Sequence, residues 1–203
     1  MSPSKAPTLS NPGKTVLKPA RLAHFVLKTQ PSTYRRLVDY YKTFLSAEAN
    51  YEDDHNAFIT YDDEHHRIGI CAFEWCVPQV RQSTGLVHTA FAFETLFDLA
   101  LAYRQRKANG IEPYWCVNHG PTTSIYYKDP DGNDIETFVD NFATVEETKI
   151  AMDTPVFAAN PAGLEFDPEV FVQRLEAGES DASIKNLENM PSYTSKGGRP
   201  YVL

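Results

Sequence analysis

The chain repeats one pattern twice, and this repeat limits its fold more than any other feature. The tripeptide Leu-Ala-His at 22–24 recurs as Leu-Val-His at 86–88, 64 residues later. A helical periodicity follows each copy, over residues 32–45 and 94–109, and short apolar segments typical of strands follow each helix. Because one such unit does not bury a sheet face alone, two units are expected to pack together. The repeat therefore predicts an α+β fold built from two tandem βαβββ modules.

The length and the changes in composition predict one domain with two tails. A chain of 203 residues is long enough to bury a real core. The predicted domain is 20–143, with modules at 20–80 and 85–143. The first segment, 1–19, is rich in Pro, Ser and Lys and is predicted to be a mobile arm. The remaining residues, 144–203, are predicted to be a peripheral, largely helical C-terminal extension rather than a second domain.

The composition argues against several classes of protein. The net charge of −8 and a pI near 5.2 argue against a nucleic-acid binder, which needs clustered Lys and Arg for its phosphate contacts. No stretch approaches the roughly 18 apolar residues of a membrane span. The three cysteines have no CxxC spacing, which favours a reducing compartment. Since the N-terminal segment also lacks an apolar signal core, we expect a cytoplasmic protein.

Three residues form a candidate metal site. His24 and His88 occupy matching positions in the two repeats, and Glu136 is an acid within the otherwise apolar strand predicted at 135–139. Each alone has an ordinary explanation, a satisfied strand histidine or an ion pair at a sheet edge. Together, two imidazoles and one carboxylate on neighbouring strands hold a metal and leave open positions. Non-haem Fe(II) oxygenases use this arrangement.

The segment that leads to Glu136 resembles a known superfamily. Tyr126 precedes an Asp-Pro-Asp-Gly turn at 129–132, and Ile-Glu follows. This arrangement resembles the vicinal oxygen chelate superfamily, which includes glyoxalases, bleomycin and fosfomycin resistance proteins and extradiol dioxygenases. It is most similar to the type I extradiol dioxygenases, including the biphenyl-2,3-diol dioxygenases. The likeness covers residues 21–142 and implies that the two modules form a half-barrel around a metal.

The resemblance also implies catalytic residues. It places an acid–base histidine at His66, within a His-His pair, and a tyrosine ten residues before Glu136, which is Tyr126. A further histidine of the family corresponds to His119. The chain departs from the family at two places, since His119 is two residues nearer the tyrosine than usual and an insertion at 78–85 lengthens the interval after His66.

These residues predict the opening of a catechol-type ring with O2. The resemblance implies Fe(II) as the metal, with Mn(II) as the alternative because both accept the same ligands. His66 would accept a proton from the bound diol, because an imidazole titrates near neutral pH. Tyr126 would hydrogen-bond the substrate oxygen, and His119 would stabilise the deprotonated substrate or guard the pocket mouth. By analogy with the fold, the chain is expected to form a homo-oligomer.

Two other functions remain open at this point. The first is a non-oxidative, glyoxalase-like metal-dependent lyase or isomerase, or a thiol transferase. Such enzymes usually take a fourth ligand from the first module, where residues 71–73 offer no carboxylate. The second is a metal-free protein that binds an aromatic ligand, which would leave two histidines and a glutamate without a metal to pair with. Metal content and oxygen uptake would separate the three.

Overall fold

Two β-sheets, one from each half of the chain, frame the protein in a computed structural model that describes residues 8–10, 13–80 and 82–193. The elements of the first half are β1 (Phe25–Thr29), α1 (Pro31–Leu45), β2 (Glu48–Glu52), β3 (Asn56–Thr60) and β4 (Ile68–Ala72). The elements of the second half are β5 (His88–Ala92), α2 (Leu96–Ala108), β6 (Trp115–Asn118), β7 (Thr122–Lys128) and β8 (Asp134–Asp140). Both halves therefore have the order βαβββ.

The C-terminal extension adds short helices and one more strand. Its elements are α3 (Val145–Met152), α4 (Pro155–Ala159), β9 (Leu164–Glu165), α5 (Pro168–Glu176), α6 (Asp181–Lys185) and a single 3-10 turn at Leu187–Asn189. The strand order is β1-β4-β3-β2 in the first sheet and β5-β8-β7-β6-β9 in the second. In each sheet the first strand of the half pairs in parallel with its last, β1 with β4 and β5 with β8. The predicted α+β fold with two repeated modules is confirmed.

Two strands differ from the sequence-based expectation. The apolar run at 22–27 predicts a strand, whereas the observed strand β1 begins at Phe25, so His24 lies just before it. The strand β2 was not predicted, because it lies at the edge of its sheet and its burial does not alternate. An edge strand with polar side chains has no hydrophobic period by which to recognise it.

The helix of each module covers its sheet with an apolar stripe. In α1 the apolar residues that gave the helical periodicity at 32–45 are buried: Tyr34, Leu37, Val38, Tyr41 and Phe44. Ser32, at the start of the periodicity, is a plausible N-cap from the sequence, but the helix begins one residue earlier with Pro31 at its first turn, and its N-cap is Gln30. In α2 the N-cap is Thr95, whose hydroxyl accepts a hydrogen bond from the backbone N–H of Asp98 at 3.0 Å.

A single apolar cluster joins both modules to the extension. It contains residues of both helices and of both sheets. Four buried residues of the extension also belong to it: Phe166, Phe171, Val172 and Ile184. The extension expected at the periphery is thus partly built into the core.

The two ends of the chain are described only in part. Of the arm predicted at 1–19, residues 1–7 and 11–12 lie outside the described residues, and 13–19 are exposed without helix or strand. Residues 194–203 also lie outside them. Within the part that is described, no helix is both long and apolar enough to cross a membrane.

The turn between β7 and β8 is held by one buried carboxylate. Asp129 Oδ1 accepts hydrogen bonds from the backbone N–H groups of Asp131 at 2.9 Å and Asn133 at 2.8 Å. Its Oδ2 accepts from Tyr41 OH at 3.1 Å and from Asn133 Nδ2 at 2.8 Å. Burial raises the pKa of Asp129, and these hydrogen bonds offset part of that rise. Gly132 takes φ +90°, which glycine adopts without strain. The predicted turn is confirmed.

We expect Asp129→Ala to lower the free energy of unfolding by about 2–4 kcal/mol, because buried donors lose a charged acceptor. Urea denaturation of the metal-free protein measures this change. Asp140→Ala is the matched control, since Asp140 is an exposed acid at the end of the same hairpin and should change stability by less than about 0.5 kcal/mol. Equal losses in the two variants would contradict the role given to Asp129.

Candidate functional site

The β7–β8 hairpin places Tyr126 and Glu136 side by side. They are direct partners in the antiparallel register, and the next pair is Tyr127 with Ile135. Because successive strand residues point to opposite faces, Tyr127 and Ile135 enter the main core while Tyr126 and Glu136 lie on the other face. Glu136 is only 8% exposed. The acid predicted to be buried within an apolar strand is buried.

A chain of polar contacts runs across this face of the second sheet. His88 Nε2 lies 3.1 Å from Glu136 Oε2. Tyr126 OH donates a hydrogen bond to Glu136 Oε1 at 2.8 Å. His119 Nε2 lies 3.0 Å from Tyr126 OH, and His119 Nδ1 lies 2.8 Å from the carbonyl oxygen of Ala162. Four of the six predicted site residues therefore form one connected group.

The charges of this group favour an ionised carboxylate. Burial alone raises the pKa of Glu136, but hydrogen bonds from His88, Ser124 and Tyr126 outweigh it, so the pKa is lowered. The hydrogen bond with Glu136 raises the pKa of His88, against a smaller opposing effect of burial. Burial lowers the pKa of His119, which favours its neutral form at neutral pH. Glu136 is therefore a charged oxygen ligand or a strong hydrogen-bond acceptor.

The remaining predicted residues form a second group, on the first sheet. His24 is exposed, and its ring centroid lies 4.2 Å from that of His66. His66 just precedes β4, with His65 Nδ1 2.5 Å from its own Nδ1 and the ring of Phe58 at 5.0 Å. Burial lowers the pKa of His66, and the nearby His24 and His65 lower it further. His66 is thus biased towards the neutral form that accepts a proton.

The structure brings two of the three predicted ligands together and leaves the third in the other group. In the residues that the structure describes, no group of three or more His, Cys, Asp or Glu side chains is spaced to hold a metal ion. His24 precedes an outer strand of the first sheet, whereas His88 begins an outer strand of the second. The rings of Phe25 and Phe91, one from each of these strands, lie 6.3 Å apart. A shared ion at His24, His88 and Glu136 stays a prediction.

The donor atoms present nevertheless suit a metal. Two ligand atoms at roughly 2.1 Å from one ion are about 3 Å apart when they bind at a right angle. His88 Nε2 and Glu136 Oε2 have this separation, at 3.1 Å. The Nδ1 atom of His88 is buried without a hydrogen-bond partner among the described residues. Two imidazoles and a carboxylate suit Fe(II) or Mn(II) and leave other positions open.

Sequence reasoning missed the part that the extension plays at this site. The ring of Trp115 lies 4.8 Å from that of Tyr126, and its Nε1 donates to Glu165 Oε1 at 3.2 Å. Glu165 belongs to β9 and is only 8% exposed. The one sequence signal was an acid between two apolar residues, the same kind of signal that identified Glu136.

A cavity of about 780 Å³ opens beside His119. It lies between the β6–β7 turn and the C-terminal extension. The large apolar side chains that line it are Phe142, Val156, Phe157, Leu164 and Leu187. The side chains of Phe157 and Leu187 both lie near Gly120, where a Cβ would lie 4.0 Å and 3.9 Å from their carbons. The polar chain therefore ends at an apolar space large enough for a substituent ring.

Comparisons with known proteins identify close relatives. No family model matches the chain. Biphenyl-2,3-diol 1,2-dioxygenase 2 of Rhodococcus globerulus is 42% identical over 159 residues, which cover 78% of this chain and 83% of the relative. Biphenyl-2,3-diol 1,2-dioxygenase 3 of the same organism is 40% identical over 166 residues, 81% of this chain and 86% of the relative.

One solved structure supports the fold. A glyoxylase/bleomycin resistance protein/dioxygenase domain from Frankia sp. EAN1pec superposes with a TM-score of 0.52 at 14% identity. The match covers 63% of this chain and 96% of that one. At this identity the similarity supports the half-barrel architecture alone.

We expect Glu136→Gln to lower the pKa of His88 in the metal-free protein, because the carboxylate that raises it is replaced by a neutral amide. A proton NMR titration of the histidine ring signals measures the change, and exposed His55 is the internal control. The raised pKa of His88 also stabilises the metal-free fold at low pH, and this contribution is lost as pH rises through the folded pKa. An unchanged His88 titration would contradict the contact.

Proposed function

Because the chain belongs to the biphenyl-2,3-diol 1,2-dioxygenase family of extradiol dioxygenases, we propose that His24, His88 and Glu136 hold its catalytic metal. The substrate is a catechol-type diol, whose ring is opened by insertion of both atoms of O2. The contact between His88 Nε2 and Glu136 Oε2, capped by Tyr126, is the observation that carries this proposal. His88 and Glu136, two of the three proposed ligands, lie together on this face of the second sheet.

The proposed metal is Fe(II), with Mn(II) as the alternative for the same ligands. When bound, it supplies a positive charge that acidifies the diol and a site where diol and O2 meet. The participation of His24 requires its ring to turn from His66 towards the second sheet. His24 precedes β1 and His88 begins β5, and each of these strands lies at an edge of its sheet.

Tyr126 orients the carboxylate ligand. Its hydroxyl donates to Oε1 of Glu136, so that Oε2 is directed towards His88. The ring packs against Trp115, which limits its rotation. A phenol has one O–H, so when substrate binds the same hydroxyl can turn from Glu136 to a substrate oxygen without adding a charge to the site.

His66 accepts the proton that the diol loses. Its lowered pKa keeps the ring neutral, so that a nitrogen lone pair is available at neutral pH. Its ring lies beside His24, which puts the base next to a proposed ligand. His119, at the other end of the polar chain, lines the cavity and is proposed to guard its mouth.

The alternative functions receive no support from the relatives. Both curated relatives are named as dioxygenases. A glyoxalase-like isomerase would need a fourth ligand from β4, whose residues carry no carboxylate. A homo-oligomeric state remains part of the proposal by analogy with the fold. A cytoplasmic location also remains part of it, because the cysteine spacing favours a reducing compartment.

We expect alanine at His24, His88 or Glu136 to lower turnover of a catechol panel by more than about 100-fold. Loss of a residue that only hydrogen-bonds a ligand costs about 10- to 100-fold, and loss of the ligand itself should cost more. The readouts are oxygen uptake, absorbance of the yellow ring-fission product and iron content. His55→Ala is the matched control, because His55 lies in an exposed turn away from the site.

His66→Ala separates proton transfer from metal binding. It should retain iron but lose about 10²- to 10⁴-fold in turnover, the usual contribution of a general base. Iron-loaded wild-type protein that consumes no oxygen with any catechol would overturn the proposed function. Full activity in His24→Ala would overturn the assignment of His24 as a ligand.

The cavity beside His119 indicates a diol with an apolar aryl substituent. We expect Leu187→Trp to fill it and to raise KM for biphenyl-2,3-diol by about 10- to 100-fold, the loss expected when a buried ring has no apolar site. Unsubstituted catechol should be turned over normally. Val145→Trp is the matched control, since Val145 is 73% exposed and lies outside the cavity. An equal effect on both substrates would contradict this use of the cavity.

A further inference from the structure

One glycine of the C-terminal extension presses against the backbone beside His119. Gly163 has φ +81°, and a Cβ there would lie 2.0 Å from the carbonyl oxygen of Asn118 and 2.6 Å from Cα of His119. Distances this short lie far inside van der Waals contact, so a side chain here would push the two segments apart. Only glycine allows the extension to approach His119 this closely.

The turn that contains Gly163 is held on both sides. The N–H of Gly163 donates to the carbonyl oxygen of Asn160 at 3.1 Å, and Asn160 Nδ2 donates to the carbonyl oxygen of Gly163 at 2.9 Å. Directly after the turn, β9 pairs with β6, with Leu164 opposite Asn118. The turn therefore has a defined place against the strand that leads into His119.

This placement determines where the ring proton of His119 resides. The carbonyl oxygen of Ala162 lies 2.8 Å from Nδ1, and a carbonyl oxygen only accepts hydrogen bonds. Nδ1 must therefore carry the hydrogen. A neutral imidazole has one ring proton, so Nε2 is left with a lone pair, 3.0 Å from the hydroxyl of Tyr126. Tyr126 then has two acceptors for one proton, Glu136 and His119.

We infer that the turn at 160–163 positions His119, with the Ala162 carbonyl selecting the Nδ1–H tautomer so that an unprotonated Nε2 faces Tyr126. The extension is thus a positioning element of the site. The tautomer follows from the geometry alone, whereas its consequence for turnover rests on the proposed function.

Gly163→Ala and Gly178→Ala form a matched pair of variants. Both glycines lie in the extension with positive φ, +81° and +76°, but a Cβ at Gly178 meets nothing within 4 Å. Both substitutions therefore add similar backbone strain, of about 1 kcal/mol. Only Gly163→Ala moves the turn away from His119.

The first readout is the tautomer of His119, by long-range ¹H–¹⁵N NMR of ¹⁵N-histidine-labelled protein. We expect the Nδ1–H form in wild type and in Gly178→Ala, and loss of this form in Gly163→Ala. Asn160→Ala is the second variant if Gly163→Ala fails to fold, because it removes a clamp on the turn without a clash. The Nε2–H form in wild type, or an unchanged tautomer in both turn variants, would overturn the inference.

The second readout is turnover in a double-mutant cycle. Gly163→Ala should lower kcat by about 10- to 100-fold, the scale for a catalytic group displaced by about 1 Å. In a His119→Gln background the same change should have no further effect. An equal effect in both backgrounds would mean a general structural role and would overturn the inference. The two claims can fail separately. If wild-type protein opens no diol ring but Gly163→Ala still loses the Nδ1–H form, the proposed function is refuted and the positioning of His119 stands.

Discussion

The proposed site depends on the register of one hairpin. Tyr126 faces Glu136 because the turn at 129–133 closes with Asp129 as its central acceptor. Since side chains alternate along a strand, a slip of one residue would turn Glu136 into the core and bring its neighbour to the site face. The contacts of Glu136 with His88 and Tyr126 follow from this register.

The fold and the second-module part of the site were predictable because they carry local signals. The repeated Leu-x-His tripeptides, two helical periodicities and the turn residues at 129–133 predicted the βαβββ modules, and β1 with β4 and β5 with β8 pair alike. Glu136 was recognisable as an acid in an apolar strand. The predicted strand at 22–27 was too early, because nothing in its composition marks Phe25 as the first paired residue.

The contributions of the extension were not predictable, because they are long-range contacts without a periodic pattern. Ala162 reaches His119 through a backbone carbonyl, which leaves no trace in side-chain chemistry. The indole of Trp115 meets Glu165 across 50 residues of chain. A two-residue strand such as β9 is too short to alternate. The sequence places the proposed ligands, whereas tertiary packing orients the groups around them.

In the proposed site the two modules contribute donors to a single ion, although their strands belong to two separate sheets. His88 and Glu136 already meet, and His24 must join them from the first module. Anomalous diffraction at the iron edge, from crystals of the iron-loaded protein, tests this claim most directly. We expect one iron bonded to His24, His88 and Glu136. Iron bound elsewhere, or bound without His24, would contradict it.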